Sequence, residues 1–123
     1  LEACKEAFPN QRILLIFQPH RYSRTRDLFE EFIKVLSEVS SLILLPVYAA
    51  GEDEIMGTDS KTLARSIRIL KRVNPFVVSN EIEALDMIFS IVESGDILLL
   101  MGAGSISGLT NLIKNEVERG GYA

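Results

Sequence analysis

Residues 13–39 read ILLIFQPHRYSRTRDLFEEFIKVLSEV, and the change of pattern inside that stretch sets the fold class. Residues 13–17 are apolar without alternation, as in a strand covered on both faces. From 28 to 39 the period changes: Leu28, Phe29, Phe32, Ile33 and Leu36 share one side of a helix, while Glu30, Glu31 and Lys34 turn outward. Three more apolar runs, at 42–47, 76–78 and 97–101, are each separated by a helical pattern. Such alternation predicts a three-layer α/β domain, a mostly parallel sheet with helices on both faces. Leu63, Ala64, Ile67 and Leu70 mark the helix after the second strand, with Lys61, Arg65, Arg68 and Lys71 as its solvated side. Asn80 and Glu83 have the spacing of a capping box ahead of Ala84, Leu85, Ile88, Phe89 and Val92, and Ser94-Gly95 closes that helix. Leu109, Leu112, Ile113 and Val117 give a last helix that stops at Gly120-Gly121.

The connection between the first strand and its helix carries His20, Arg21, Arg24 and Arg26 in a chain of formal net charge -4. A helix start already bears about half a positive charge and unpaired N–H groups, so cations there weaken the helix. The arrangement makes sense if an anion, carboxylate or phosphate, enters the site and is gripped by the guanidinium groups. The competing account ties the arginines to Asp27, Glu30 or Glu31 as surface ion pairs.

Ligands of open parallel sheets bind at the carboxyl ends of the strands. Three segments of this chain reach that edge: residues 18–26, 48–57 and 102–108. In the second, Tyr48 suits a pocket wall, Ala49, Ala50 and Gly51 allow a tight turn, and Glu52 suits an ammonium group; a plain acidic loop is the alternative. In the third, Gly102-Ala103-Gly104-Ser105-Ile106-Ser107-Gly108 approximates a dinucleotide fingerprint, but Ser107 holds the third glycine's place and the motif follows the last strand. Ser105 suits a helix cap facing an anion, and tight turning without a ligand explains the glycines equally well.

At 123 residues with 47% hydrophobic and 24% charged residues, the chain fits one ordinary globular domain. No apolar run approaches the roughly 20 residues of a membrane-spanning helix. One cysteine, Cys4, permits no internal disulfide and reads as a small buried residue, so a reducing cytoplasm is expected. The acidic balance gives no reason to expect nucleic acid, and a membrane partner is not expected either. A Gly-x-x-x-x-Gly-Lys-[Ser/Thr] phosphate loop, a zinc ligand set and a nucleophile–base triad are all absent from the sequence, so no catalytic or metal-binding residue is assigned. The chain opens directly on a helical stretch and is expected to be part of something longer.

Phe17-Gln18-Pro19-His20-Arg21-Tyr22-Ser23-Arg24-Thr25-Arg26-Asp27-Leu28-Phe29 resembles the C-terminal domain of the Mur ligases. The resemblance continues in order through Val47-Tyr48-Ala49-Ala50-Gly51-Glu52, Gly57-Thr58-Asp59-Ser60 and Gly102-Ala103-Gly104. Its closest fit is to the branch that joins L-alanine to UDP-N-acetylmuramate. It implies a bacterial cytoplasmic ligase of peptidoglycan synthesis, hence of cell wall biogenesis, cell shape and division. Residues 1–123 would be its Rossmann-like third, amino-acid-binding domain without the first strand. In that family ATP phosphorylates the lactyl carboxylate of UDP-N-acetylmuramate, and the amine of L-alanine attacks the acyl phosphate. By position, Arg21 and Arg24 would hold the L-alanine carboxylate with His20 in the same pocket, and Tyr48, Gly51, Gly104 and Ser105 would form its wall. ATP, Mg2+ and the UDP-sugar would belong to the other two domains. The fragment alone is then expected to be inactive and to hold no cofactor tightly, because the family's opening Asp-Tyr-x-His-His-Pro segment is not in it. The rival readings are a noncatalytic anion- or nucleotide-binding Rossmann-like module and an arginine-lined protein interaction domain.

Overall fold

A strand with apolar residues at every position needs a cover on each side, and the computed structural model, which describes residues 1–102, 104 and 106–120, supplies both. Strand β1 (Ile13–Gln18) is buried along its whole length. It lies inside a parallel four-stranded sheet with β2 (Ser41–Leu44), β3 (Phe76–Val77) and β4 (Ile97–Gly102), in the order β3-β2-β1-β4. The register pairs Leu14 with Leu98 and Ser41, and closes with Gln18 opposite Gly102.

Alternate side chains point to opposite faces of a strand, so the sheet sorts its residues into two apolar layers. On one face Ile13, Leu15, Phe17, Leu42 and Leu44 meet Leu36 of α3 (Phe29–Leu36) and Leu63, Ala64 and Ile67 of α4 (Ser60–Ile69). Cys4 of α1 (Glu2–Ala7) is half-buried against the same layer. On the other face Leu14, Ile16, Ile43 and Leu45 meet Ala84 and Ile88 of α5 (Glu81–Ile91) and Ile106 and Leu109 of α6 (Ile106–Gly120). The expected three-layer architecture is present, and the helices divide as right-handed crossovers require. The chain steps outward from β1 to β3 through α3 and α4, then returns across the other face through α5 to reach β4.

Some boundaries moved for local reasons. The cationic connection, expected as a loop, contains a helix of its own, α2 (Tyr22–Asp27), and a bend at Leu28 separates it from α3. Regular pairing of β2 ends at Leu44; Leu45 still donates its N–H to Phe17, but Pro46 has none to offer. Asn80 caps α5 by accepting from the Glu83 N–H at 2.9 Å, as its spacing predicted. The Glu83 carboxylate reaches one residue further back than a capping box requires, to the Ser79 N–H at 2.6 Å. Asp59, which carried no assigned role, caps α4 by accepting from the Thr62 N–H at 2.7 Å. That hydrogen bond, helped by Arg65 and Lys61, holds its carboxyl below the ordinary range. Gly121, expected at the end of the last helix, lies outside the described residues. No helix among the described residues is long and apolar enough to cross a membrane.

Candidate functional site

The strand order reverses between β1 and β4, since the chain leaves β1 for β2 on one side and comes back to β4 on the other. At such a switch the connections above adjacent strands diverge onto opposite faces and open a crevice at the carboxyl edge. Three loops meet there. Tyr48 donates its N–H to the Pro19 carbonyl at 2.8 Å, and its own carbonyl accepts from the Arg21 N–H at 2.7 Å. The His20 and Tyr48 rings stack with centroids 5.7 Å apart and planes 13° from parallel. Gly104 packs against the Tyr48 ring so tightly that a Cβ there would lie 2.4 Å from it. His20, Tyr48 and Gly104 are therefore one assembly drawn from three segments.

In front of it His20, Arg21, Ser23, Arg24, Asp27 and Leu28 line an open cleft of about 570 Å³. Arg21 and Arg24 are exposed, and neither is in an ion pair among the described residues. The surface-pair reading holds only for Arg26, which meets Asp27 at 3.0 Å. Only Arg21 stands at a helix start, as the N-cap of α2; Arg24 and Arg26 fall in the last turn, where the dipole favours them. The electrostatic penalty expected at all three arginines thus applies to Arg21 alone. That residue carries a different cost: its backbone at φ 68°, ψ 143° is a conformation that a side chain makes unfavourable by about 1–3 kcal/mol.

Glu52 does something the sequence did not suggest. Ala50 and Gly51 have φ of 52° and 87°, and the Glu52 N–H donates to the Ala49 carbonyl, so the chain doubles back in a tight left-handed turn. The turn carries Glu52 over the start of α2, where its carboxylate accepts from the Ser23 hydroxyl at 2.5 Å and the Ser23 N–H at 3.0 Å. Those hydrogen bonds, with Arg21 nearby, hold its carboxyl below the ordinary range. Glu52 therefore closes the helix N-terminus and neutralises part of the arginine charge, whereas the sequence suggested an ammonium group as its partner. Gly51 shapes this turn and does not line the cleft. Ser105, assigned to the wall, lies outside the described residues.

Gln18 carries no role in the sequence reading although it ends the decisive strand. It is 3% exposed, its Nε2 donates to the Pro46 carbonyl at 3.1 Å, and its Oε1 accepts from the Ile106 N–H at 3.1 Å. The available signal was a polar residue closing an otherwise apolar buried run. Ser60 makes a comparable buried tie, donating its hydroxyl to the Leu45 carbonyl at 2.6 Å. Among the described residues no group of three or more His, Cys, Asp or Glu is placed to hold a metal ion.

Comparison with known proteins adds an independent line. A family model described as "Mur ligase, glutamate ligase domain" matches residues 1–104. The UDP-N-acetylmuramate–L-alanine ligase of Nitrosomonas eutropha is 47% identical over 106 residues, covering 86% of this chain and 22% of that protein. The enzymes of the same name from Neisseria meningitidis serogroup A and Nitrosospira multiformis are 50% and 48% identical, over 87% and 96% of this chain. The chain spans about a quarter of the length of these curated relatives, 22–24%. The resemblance in the loops, the parallel sheet that brings them together and the match across residues 1–104 agree: this chain belongs to the Mur ligase family.

Proposed function

We propose that residues 1–123 form the amino-acid-binding C-terminal domain of an ATP-dependent ligase that joins L-alanine to the lactyl carboxylate of UDP-N-acetylmuramate. The observation that carries the reading is that His20, Arg21 and Arg24 line one cleft while the two arginines are in no ion pair among the described residues. Two planar cations on an open floor suit a carboxylate, which each can meet through paired N–H donors. The names and 47–50% identity of the relatives support L-alanine as the amino acid and a bacterial cytoplasmic enzyme of cell wall synthesis as the setting.

The domain's contribution is orientation. With its carboxylate held by Arg21 and Arg24 and its flank against His20, L-alanine presents its amine to the acyl phosphate of the sugar, and fixing that geometry removes several kcal/mol of the barrier. Magnesium and the ATP phosphates find in this sequence no Gly-x-x-x-x-Gly-Lys-[Ser/Thr] phosphate loop and, among the described residues, no group of three or more His, Cys, Asp or Glu placed to hold a metal ion. They are assigned to the remainder of the protein, together with the UDP-sugar.

The test is steady-state kinetics of the full-length protein. Charge-assisted hydrogen bonds are worth about 1.5–3 kcal/mol each, so Arg24→Ala should raise the KM for L-alanine about 10- to 100-fold, with the KM for ATP unchanged. Arg21→Lys should also be harmful, because a point charge does not replace the planar fork. Unaltered L-alanine kinetics in both variants would end the assignment.

A further inference from the structure

We propose that Gln18 is a positioning residue for the amino-acid cleft, acting as a two-ended tie that fixes the exits of β2 and β4 against β1. The inference rests on the reading above and names a residue that the reading does not use. Gln18 ends the central strand with its side chain 3% exposed, and the two ends of its amide serve different neighbours. Nε2 donates to Pro46, just past β2, and Oε1 accepts from Ile106, the first residue of α6. Two residues beyond Pro46 stands Tyr48, whose ring stacks on His20, and two before Ile106 stands Gly104, which packs on Tyr48.

The chemistry restricts the position to an amide. One end must donate to a carbonyl while the other accepts from an N–H, and the two partners lie on opposite sides of β1. A glutamate would turn a second acceptor toward Pro46, a lysine would turn a donor toward the Ile106 N–H, and a methionine would leave both partners unmet. Asparagine is one methylene short of the span. Each of these changes leaves the apolar layers intact and loosens the register of Tyr48 and Gly104. The consequence belongs to L-alanine binding and not to the nucleotide or sugar sites.

The experiment uses the full-length protein and reads three Michaelis constants. Gln18→Met should raise the KM for L-alanine about tenfold, the size expected from stranding buried hydrogen-bonding groups, while the KM values for ATP and UDP-N-acetylmuramate stay within about twofold. Ile106→Pro provides a second variant, because proline is accepted at the first position of a helix and removes the N–H that Gln18 accepts from, along with part of a buried side chain whose loss is read separately in the folded fraction. It should raise the same constant, and the double variant should be no worse than the more impaired single one. A fall in turnover that follows the folded fraction, with the L-alanine KM unchanged in both variants, would overturn the inference. If Arg24→Ala raises that KM and the Gln18 and Ile106 variants do not, the carboxylate reading stands and the tie falls; if none of them moves it, the carboxylate reading itself has failed.

Discussion

Replacing Gly104 by alanine isolates the contact on which the convergence of the three loops depends. Gly104 has φ +83°, and a Cβ built there would lie 2.4, 2.6 and 3.0 Å from Cδ2, Cγ and Cε2 of Tyr48. An L-residue in this left-handed conformation costs about 1–2 kcal/mol over glycine. No atom tolerates a 2.4 Å approach, so the Tyr48 ring must also swing away and give up its stack on His20, worth about 0.5–1.5 kcal/mol. The sum is about 2–3 kcal/mol, which in a chain of this length lowers the melting temperature by roughly 10 °C. The decisive form is a double-mutant cycle with Tyr48→Ala, measured by thermal denaturation followed by circular dichroism. Without the ring only the backbone cost remains, so Gly104→Ala should be about 1 kcal/mol milder in that background. Equal losses in both backgrounds would show that Gly104 and Tyr48 are not in contact, and the geometry argued for the site would be wrong.

Two further outcomes follow from the same loops. Arg21→Gly keeps the N–H that Tyr48 accepts from and relieves the φ 68° backbone, so the chain should gain about 1 kcal/mol in denaturant unfolding while the full-length protein loses affinity for L-alanine. A variant that is both less stable and poorer at L-alanine would refute the strain. Glu52 has a folded pKa below its ordinary value of 4.5, so the stability it adds is complete above that value and is lost as pH falls through the lower, folded one. Glu52→Gln should therefore lower the melting temperature near neutrality and flatten its acid limb below about 4.5, so that the difference from the parent closes as pH falls; an unaltered acid limb would remove Glu52 from the account.

The fold was legible because hydrophobic period is a local property. Residues 13–17, the amphipathic face from Leu28 to Leu36 and the Asn80–Glu83 cap each announce themselves within a few positions, and four strand–helix alternations leave little choice but a covered parallel sheet. The meeting of the loops after the first, second and last strands was legible too, since the carboxyl edge of such a sheet gathers them by rule. Partner choice was not. Glu52 lies 29 positions from Ser23, and Gln18 lies 88 from Ile106, so nothing in either neighbourhood says that a carboxylate will cap a distant helix or that an amide will bridge two strand exits. Helix α2 was missed for a related reason: its six residues, Tyr-Ser-Arg-Thr-Arg-Asp, have no apolar stripe. It is held by Glu52 at its start and by Thr25, buried on its inner side.

The bond between Gln18 and Ile106 also bears on how the protein is made. Synthesis supplies β1 before its sheet neighbours, and a sheet of β1, β2 and β3 can begin to assemble while later residues are still being added. The neighbour that completes the central strand arrives only with residues 97–102, and the packing on Tyr48 and the bond to Gln18 wait for Gly104 and the first turn of α6. A nascent chain halted before that point owns the arginines but not their frame. The frame around the proposed amino-acid cleft is thus completed late, when the last strand slots in beside the first.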